Sequence, residues 1–158
     1  MLRICCIFFL IIFLQSCKNQ YLVGYFGRQG FTIQCKWKER VAVGYEPKQV
    51  YLDSIRRGVD SFDVKLFLGT WCNDSRKWVP RLFAIQNRLP IRNLEIISVD
   101  TTKKDERGWT KEYGVDSIPM FVFMREGQEV GRIKVKPSKP KRNLEKAIYL
   151  QTKRKQKI

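Results

Sequence analysis

Hydrophobic and polar positions change period along this chain, and the changes mark its elements. FTIQCKWK (31–38) alternates strictly, with Phe31, Ile33, Cys35 and Trp37 on one side and Thr32, Gln34, Lys36 and Lys38 on the other. Period two predicts a half-buried strand. EPKQVYLDSIRRG (46–58) predicts a helix, with Pro47 at its first position, Arg56 and Arg57 where the macrodipole favours cations, and Gly58 as the stop. FDVKLFLG (62–69) predicts a short strand, apolar enough at 66–68 to be central. After Cys72, Trp78, Leu82, Ile85 and Leu89 recur at helical spacing, with Val79 and Phe83 beside them and Pro90 at the end. Pro80 falls inside this helix, where it removes a backbone bond and forces a kink.

LEIISVD (94–100) predicts another apolar strand, and residues 103–114 a polar, weakly helical segment closed by Gly114. MFVFMREGQEVGRI (120–133) predicts a hairpin turning at Glu126-Gly127. RNLEKAIYLQTK (142–153) predicts a terminal helix with Leu144, Ala147, Ile148 and Gln151 on one side. Residues 18–30 mix Gly with aromatics and predict a tether, and 154–158 a frayed basic tail. The order is strand, helix, strand, helix, strand, helix, hairpin, helix. It predicts a single α/β sandwich with a parallel portion and an antiparallel edge.

The chain begins with an apolar run from Ile4 to Leu14 behind Arg3. As a helix these residues rise only about 16 Å, half the hydrocarbon core, so the run fits the apolar region of a secretory signal. It ends in Leu14-Gln15-Ser16-Cys17, which resembles the lipobox of bacterial lipoproteins. That resemblance implies a signal peptide over 1–16, a lipidated Cys17 as the new N-terminus, and a tether over 17–30. An ordinary signal peptide or an uncleaved interfacial anchor are the alternatives, and each takes the chain out of the cytoplasm.

Composition narrows the chemistry. There is no histidine among 158 residues, which removes the usual general base, any Ser-His or Cys-His pair and most zinc sites. No metal site and no cofactor are expected. Chemistry is left to Cys, Asp, Glu, Lys and backbone groups. With Cys5 and Cys6 removed and Cys17 blocked, two thiols remain, Cys35 and Cys72. Cys35 reads as a buried inert thiol, or as a resolving partner for Cys72; spacing alone does not decide between them. The net charge of +16 suits an acidic partner or an anionic surface, or is a solvated basic face.

Trp71-Cys72 directly after a buried strand and at a helix start, Pro80 eight residues on, Ile118-Pro119 before a strand, and the terminal helix resemble the thioredoxin superfamily. The resemblance covers roughly residues 46–153. The turn resembles that of envelope thioredoxin-like lipoproteins reading Thr-Trp-Cys-Gly-Asp-Ser, here Thr70-Trp71-Cys72-Asn73-Asp74-Ser75. It implies a thioredoxin-like three-layer sandwich over 31–153, a mixed sheet flanked by helices, with an N-terminal strand as an extension. It implies Cys72 as nucleophile, a cis Pro119, and a groove in which Ile118 offers backbone bonds to an extended substrate. Trp71 would wall that groove or belong to the core.

Physical chemistry agrees with the role for Cys72. A thiolate attacks disulfides, and a helix N-terminus, Arg76, Lys77 and the Ser75 hydroxyl all favour that form, whereas Asp74 opposes it. Asp74 is also a candidate proton shuttle, or simply a first-turn acid suited to the dipole.

Two positions depart from the family pattern. Ser75 stands where classical members carry the resolving cysteine, and Leu66 where they bury an acid. Release of a mixed disulfide then needs an outside thiol or Cys35. Three readings follow. The first is monothiol thiol–disulfide exchange, by reduction or isomerisation, on protein or small-molecule thiols and disulfides, at the periplasmic face of an envelope membrane. The second is a non-catalytic module binding an extended or acidic partner. The third is a basic protein for anionic lipid or nucleic acid, and no recognisable nucleic-acid motif supports it.

Overall fold

The computed structural model describes residues 21–35, 44–135 and 143–153. The expected signal segment, Cys17 and the basic tail lie outside the described residues. Five strands form one mixed sheet in the order β1-β3-β2-β4-β5. They are β1 (Gly24–Gly27), β2 (Phe62–Leu68), β3 (Ile91–Ser98), β4 (Met120–Arg125) and β5 (Gln128–Lys134). Among the described residues, five α-helices accompany them: α1 (Arg28–Gln34), α2 (Gln49–Gly58), α3 (Asn73–Ile85), α4 (Trp109–Glu112) and α5 (Leu144–Lys153). A 3₁₀ turn, Gln86–Arg88, extends α3. β2 and β3 are parallel, whereas β1 against β3, β4 against β2 and β5 against β4 are antiparallel. The parallel portion and the antiparallel hairpin edge are those the element order predicts.

Alternation along the strands divides the core in two. Phe62, Val64, Leu66 and Leu68 of β2 face a cluster with Leu52 and Ile55 of α2, Val79 and Leu82 of α3, and Leu144 and Ile148 of α5. Phe67, Ile97, Met120, Val122 and Met124 face the other way, covered by the 99–118 segment through Val99, Trp109, Tyr113 and Ile118. Leu66 is fully buried between Ile96 and Phe121 of its neighbouring strands.

The N-terminal region departs from the sequence reading. Residues 28–34, which include the start of the expected strand, are helical, and the rest of that strand beyond Cys35 lies outside the described residues. The pattern was ambiguous because Phe31 and Cys35 are also one helical turn apart. Both are buried, whereas Ile33 between them is 75% exposed, which period two forbids. The true strand is 24–27, within the expected tether. Tyr25 packs on one face of the sheet and Phe26 on the other.

Other ends shift for identifiable reasons. α2 begins at Gln49 with Lys48 as its N-cap, because Glu145 reaches from α5 to accept the Lys48 N–H at 2.9 Å. Pro47 therefore precedes the cap. Glu145 is fully buried and also accepts the Tyr45 hydroxyl at 2.5 Å, so one carboxylate joins two helices and the chain entering α2. Burial and this bond push the Tyr45 phenol above its ordinary range. In α5, Leu144 and Ile148 are buried as expected, and Gln151 lies against Gly131 of β5. A Cβ at Gly131 would fall 2.9 Å from the Gln151 Cβ, so glycine allows the close approach.

The expected helix over 103–114 shrinks to one turn. Asp105 organises what replaces it. Its carboxylate accepts the Thr110 N–H at 2.7 Å, the Arg107 N–H at 3.0 Å and the Trp109 N–H at 3.1 Å, as well as the Tyr25 hydroxyl. Tyr25 stacks edge-on against Trp109, and the Arg107 guanidinium covers the Tyr25 ring at 4.0 Å. Lys65 points into the same layer, 4.1 Å above the Trp109 ring, and pairs with Glu95. The loop thus clamps the edge strand to the sheet.

Burial raises the Asp105 pKa, but the Tyr25 and backbone donors outweigh it and hold the group at about 2. Because the folded value lies below the ordinary 3.8, the stabilisation is complete above about pH 4 and is lost as pH falls through about 2. Asp105→Asn should cost about 1–2 kcal/mol at neutral pH, after discounting for partial exposure. In urea titrations across acid pH, the gap from wild type should close between about pH 4 and 2. A gap that persists below that window would refute the assignment.

Candidate active site

β2 leaves the sheet at Leu68, and its carbonyl is retained by the Val99 N–H at 2.8 Å. The chain turns at once, with the Cys72 N–H returning to the Gly69 carbonyl at 3.0 Å. Cys72 takes extended backbone angles as the N-cap of α3, and its carbonyl receives the first helical bond from the Arg76 N–H at 3.1 Å. The thiol therefore stands at the start of a 13-residue helix, where unpaired N–H groups and the macrodipole favour negative charge.

Side chains lock the turn. Ser75 is fully buried, and its Oγ accepts the Gly69 N–H at 3.3 Å. The serine at the second-cysteine position thus serves the strand end. Arg76 donates through Nε to the Thr70 carbonyl at 3.1 Å, so this cation braces the turn as well as contributing charge. Asp74 is half-buried in the first turn of α3. Trp71 donates Nε1–H to the Val99 carbonyl at 3.2 Å and folds back over Gly69. It is half-buried against the second core, so it belongs to the core and the site together.

Ile118 and Pro119 complete the site. Their peptide bond is cis, and both residues are buried. The Cys72 thiol donates to the Ile118 carbonyl at 3.7 Å. This brings Trp71, Cys72 and Ile118 together at the end of the sheet where β2 and β3 finish and β4 begins. The segment leading to Ile118 is held by three cations. Arg132 donates to the Tyr113 carbonyl at 2.7 Å, Lys103 to the Asp116 carbonyl at 2.8 Å, and Lys134 to the Asp116 carboxylate at 2.9 Å.

Cys35 packs in the core on the opposite face of the sheet from Cys72. That placement favours the inert reading for Cys35. Among the described residues, no group of three or more Cys, Asp or Glu is placed to hold a metal ion.

Sequence reasoning missed Gly69, Thr70 and Val99. Gly69 carried a signal, a glycine at the end of an apolar strand beside a tryptophan. A Cβ there would lie 2.7 Å from the Trp71 ring and 2.9 Å from the Ile118 Cδ1. Thr70 and Val99 act through contacts with residues distant in sequence, Leu22 and Trp71, which no local pattern shows.

Gly69→Ala should push the Trp71 ring off the Val99 carbonyl and destabilise the fold by about 1–3 kcal/mol, as overpacking does. Denaturant titration and the tryptophan emission spectrum check this together. Unchanged stability with an unchanged spectrum would show that the turn has room for the methyl group.

Comparison with known proteins agrees with this geometry. The family model described as Thioredoxin matches residues 51–149. A thioredoxin of Chlamydia muridarum is 28% identical over 82 residues, covering 52% of this chain and 74% of that protein. A thioredoxin H-type of Fagopyrum esculentum is 33% identical over 67 residues, covering 42% of this chain and 54% of that protein. Thioredoxin H-type 1 of Nicotiana tabacum is 29% identical, covering 62% of this chain and 65% of its own length. Among solved structures, Fasciola hepatica thioredoxin aligns with a TM-score of 0.38 at 28% identity, covering 52% of this chain and 75% of that one. With the family model spanning most of the described domain and the Trp71-Cys72 turn facing cis Pro119, the chain belongs to the thioredoxin family.

Proposed function

We propose that this protein carries out monothiol thiol–disulfide exchange through Cys72 while anchored at the periplasmic face of an envelope membrane. The observation that carries the reading is the partly buried Cys72, whose sulfur lies 3.7 Å from the Ile118 carbonyl. An extended substrate laid along Ile118 would bring its disulfide to that sulfur, with Trp71 beside it. The location rests on the apolar run 4–14 and the Leu14-Gln15-Ser16-Cys17 pattern.

In the first step the Cys72 thiolate attacks one sulfur of the substrate disulfide. The substrate S–S bond breaks, a Cys72–substrate disulfide forms, and the other sulfur leaves as a thiolate that takes a proton. In an isomerisation, a different cysteine thiolate of the same substrate attacks the substrate sulfur of the mixed disulfide, forming a new substrate disulfide and restoring Cys72. In a reduction, one outside thiolate attacks the Cys72 sulfur and frees the substrate thiol, and a second attacks that outside sulfur, forming an outside disulfide and restoring Cys72. Ser75 cannot make either attack because it has no sulfur.

A second reading, a groove that holds partners without turnover, draws support from Leu66. This buried apolar side chain leaves no acid at that position of β2 to move a proton.

Cys72→Ser should abolish mixed-disulfide formation with a small aryl disulfide, and Cys35→Ala should leave it intact. Mass spectrometry of the intact chain reads both. Full adduct on the Cys72→Ser chain would end the exchange reading, whereas client binding that survives that change without any adduct would establish the second. Ser75→Cys should convert an accumulating mixed disulfide into one released without added thiol. Persistence of that adduct would show that position 75 cannot reach the sulfur at 72.

A further inference from the structure

The direction of β1 decides where the upstream chain leaves the fold. β1 runs antiparallel to β3, with Gly24 opposite Ser98 and Gly27 opposite Glu95. Its first residue therefore lies at the carboxyl end of β3, the end at which β2 opens into the Cys72 turn. Leu22 is fixed there on both sides. Its N–H donates to the Thr70 Oγ1 at 3.0 Å, and its carbonyl accepts the Ser98 hydroxyl at 2.6 Å. Its side chain packs against the core. Tyr21 and Val23 flank it, 41% and 40% exposed, so apolar surface is left at the exit point. The upstream chain departs one residue before a direct bond to Thr70, which is two residues from Cys72.

We infer that this exit holds the Cys72 end of the domain against the membrane that anchors the chain, so that the disulfides it serves are those displayed close to the bilayer surface. The inference rests on the anchored reading above. Between Cys17 and Tyr21 there are four Cα steps, which reach at most about 14 Å when fully extended. A parallel β1 over the same Glu95–Ser98 span would have moved the exit three residues back along β3, about 10 Å further from Cys72. Strand direction thus turns a short tether into a restriction on substrate height. A soluble disulfide can still diffuse to Cys72, but a protein disulfide held near the lipid meets it at a high effective concentration. The exposed Tyr21 ring, apolar with one polar tip, suits the boundary between lipid and water.

The test uses the full-length chain in vesicles that carry lipids with a maleimide on a short headgroup. The Cys72 sulfur adds to one alkene carbon and its proton passes to the other, so no disulfide chemistry is needed. Labelling is counted as the excess over the Cys72→Ala chain. A second form carries a 20-residue proline-rich spacer between Gln20 and Tyr21, which extends the tether by about 60 Å. The wild-type chain should label about tenfold faster or more than the spacer form, because a semi-rigid extended spacer holds the domain off the surface and effective concentration falls steeply with tether length. Both forms should react equally with soluble maleimide. Equal labelling by the lipid maleimide overturns the inference, as does a wild-type chain that fails to bind vesicles or reacts only with the soluble reagent. A chain inactive on every disulfide but labelled from the lipid would keep the orientation and lose the exchange reading. A chain active on soluble disulfides but unlabelled from the lipid would do the reverse.

Discussion

A missing Cβ at Gly69 sets the geometry of everything around the thiol. β2 must end, reverse and start a helix within four residues, and the Trp71 ring must lie over the strand end it has just left. Any larger residue at 69 would meet both that ring and the Ile118 side chain. With glycine there, Trp71 bonds to Val99, Ile118 comes up to the sulfur, and Ser75 reaches back to the Gly69 N–H. Three segments far apart in sequence are drawn onto one point, and the point is small because no side chain occupies it. Backbone freedom matters less than space here, since Gly69 is needed for close approach.

Polar groups buried near this framework obey the same economy of partners. Ser75, Ser98 and Glu145 are fully or nearly fully buried, and each bonds to backbone of a different segment. Such groups would be costly if left unpaired, so each one specifies a single arrangement of the segments it joins. Ser75 fixes the strand end to the first turn of α3. Ser98 fixes the incoming chain to β3. Glu145 fixes the start of α2 to α5. Apolar packing supplies the bulk of the stability, but it would tolerate small slides that these bonds do not.

The central fold was legible because its signals were redundant. β2, β3 and the hairpin are continuous apolar runs bounded by turn residues, and the helix after Cys72 keeps its period across Pro80. The N-terminal region was misread because a five-residue window containing Phe31, Ile33 and Cys35 satisfies both periods. Only the neighbours decide, and Phe26 and Phe83, which pack against Phe31, lie partly outside any local window. β1 was hidden for a different reason. It is four residues long with glycine at both ends, and it holds its place through Tyr25–Asp105 and Leu22–Thr70, pairs that no local pattern reveals. At the site, Cys72, Ile118 and Pro119 were readable from a motif. The use of Ser75 was not, because a serine aimed at a backbone N–H and one aimed at a sulfur look the same in sequence.

In the proposed exchange, Ser75 and Leu66 would bear on its two halves unequally. Attack by Cys72 needs a nucleophilic sulfur, an approach path and an edge to hold the substrate, and none of these requires a second thiol or a buried acid. Release needs both a new thiolate and a place for its proton. Leu66 is packed between Ile96 and Phe121 and can take no part in proton movement, and Ser75 offers no sulfur. In the proposed exchange the first half would rest on features of the fold itself, while the second would fall to whatever thiol reaches the mixed disulfide. The lifetime of that adduct is then set by access to the Cys72 turn. On the anchored reading, access would in turn depend on which way the turn faces, and Leu22, held between Thr70 and Ser98, bonds directly to that turn. In the proposed exchange the serine at position 75 and the bonds of Leu22 would thus bear on the same quantity, the time a substrate stays attached.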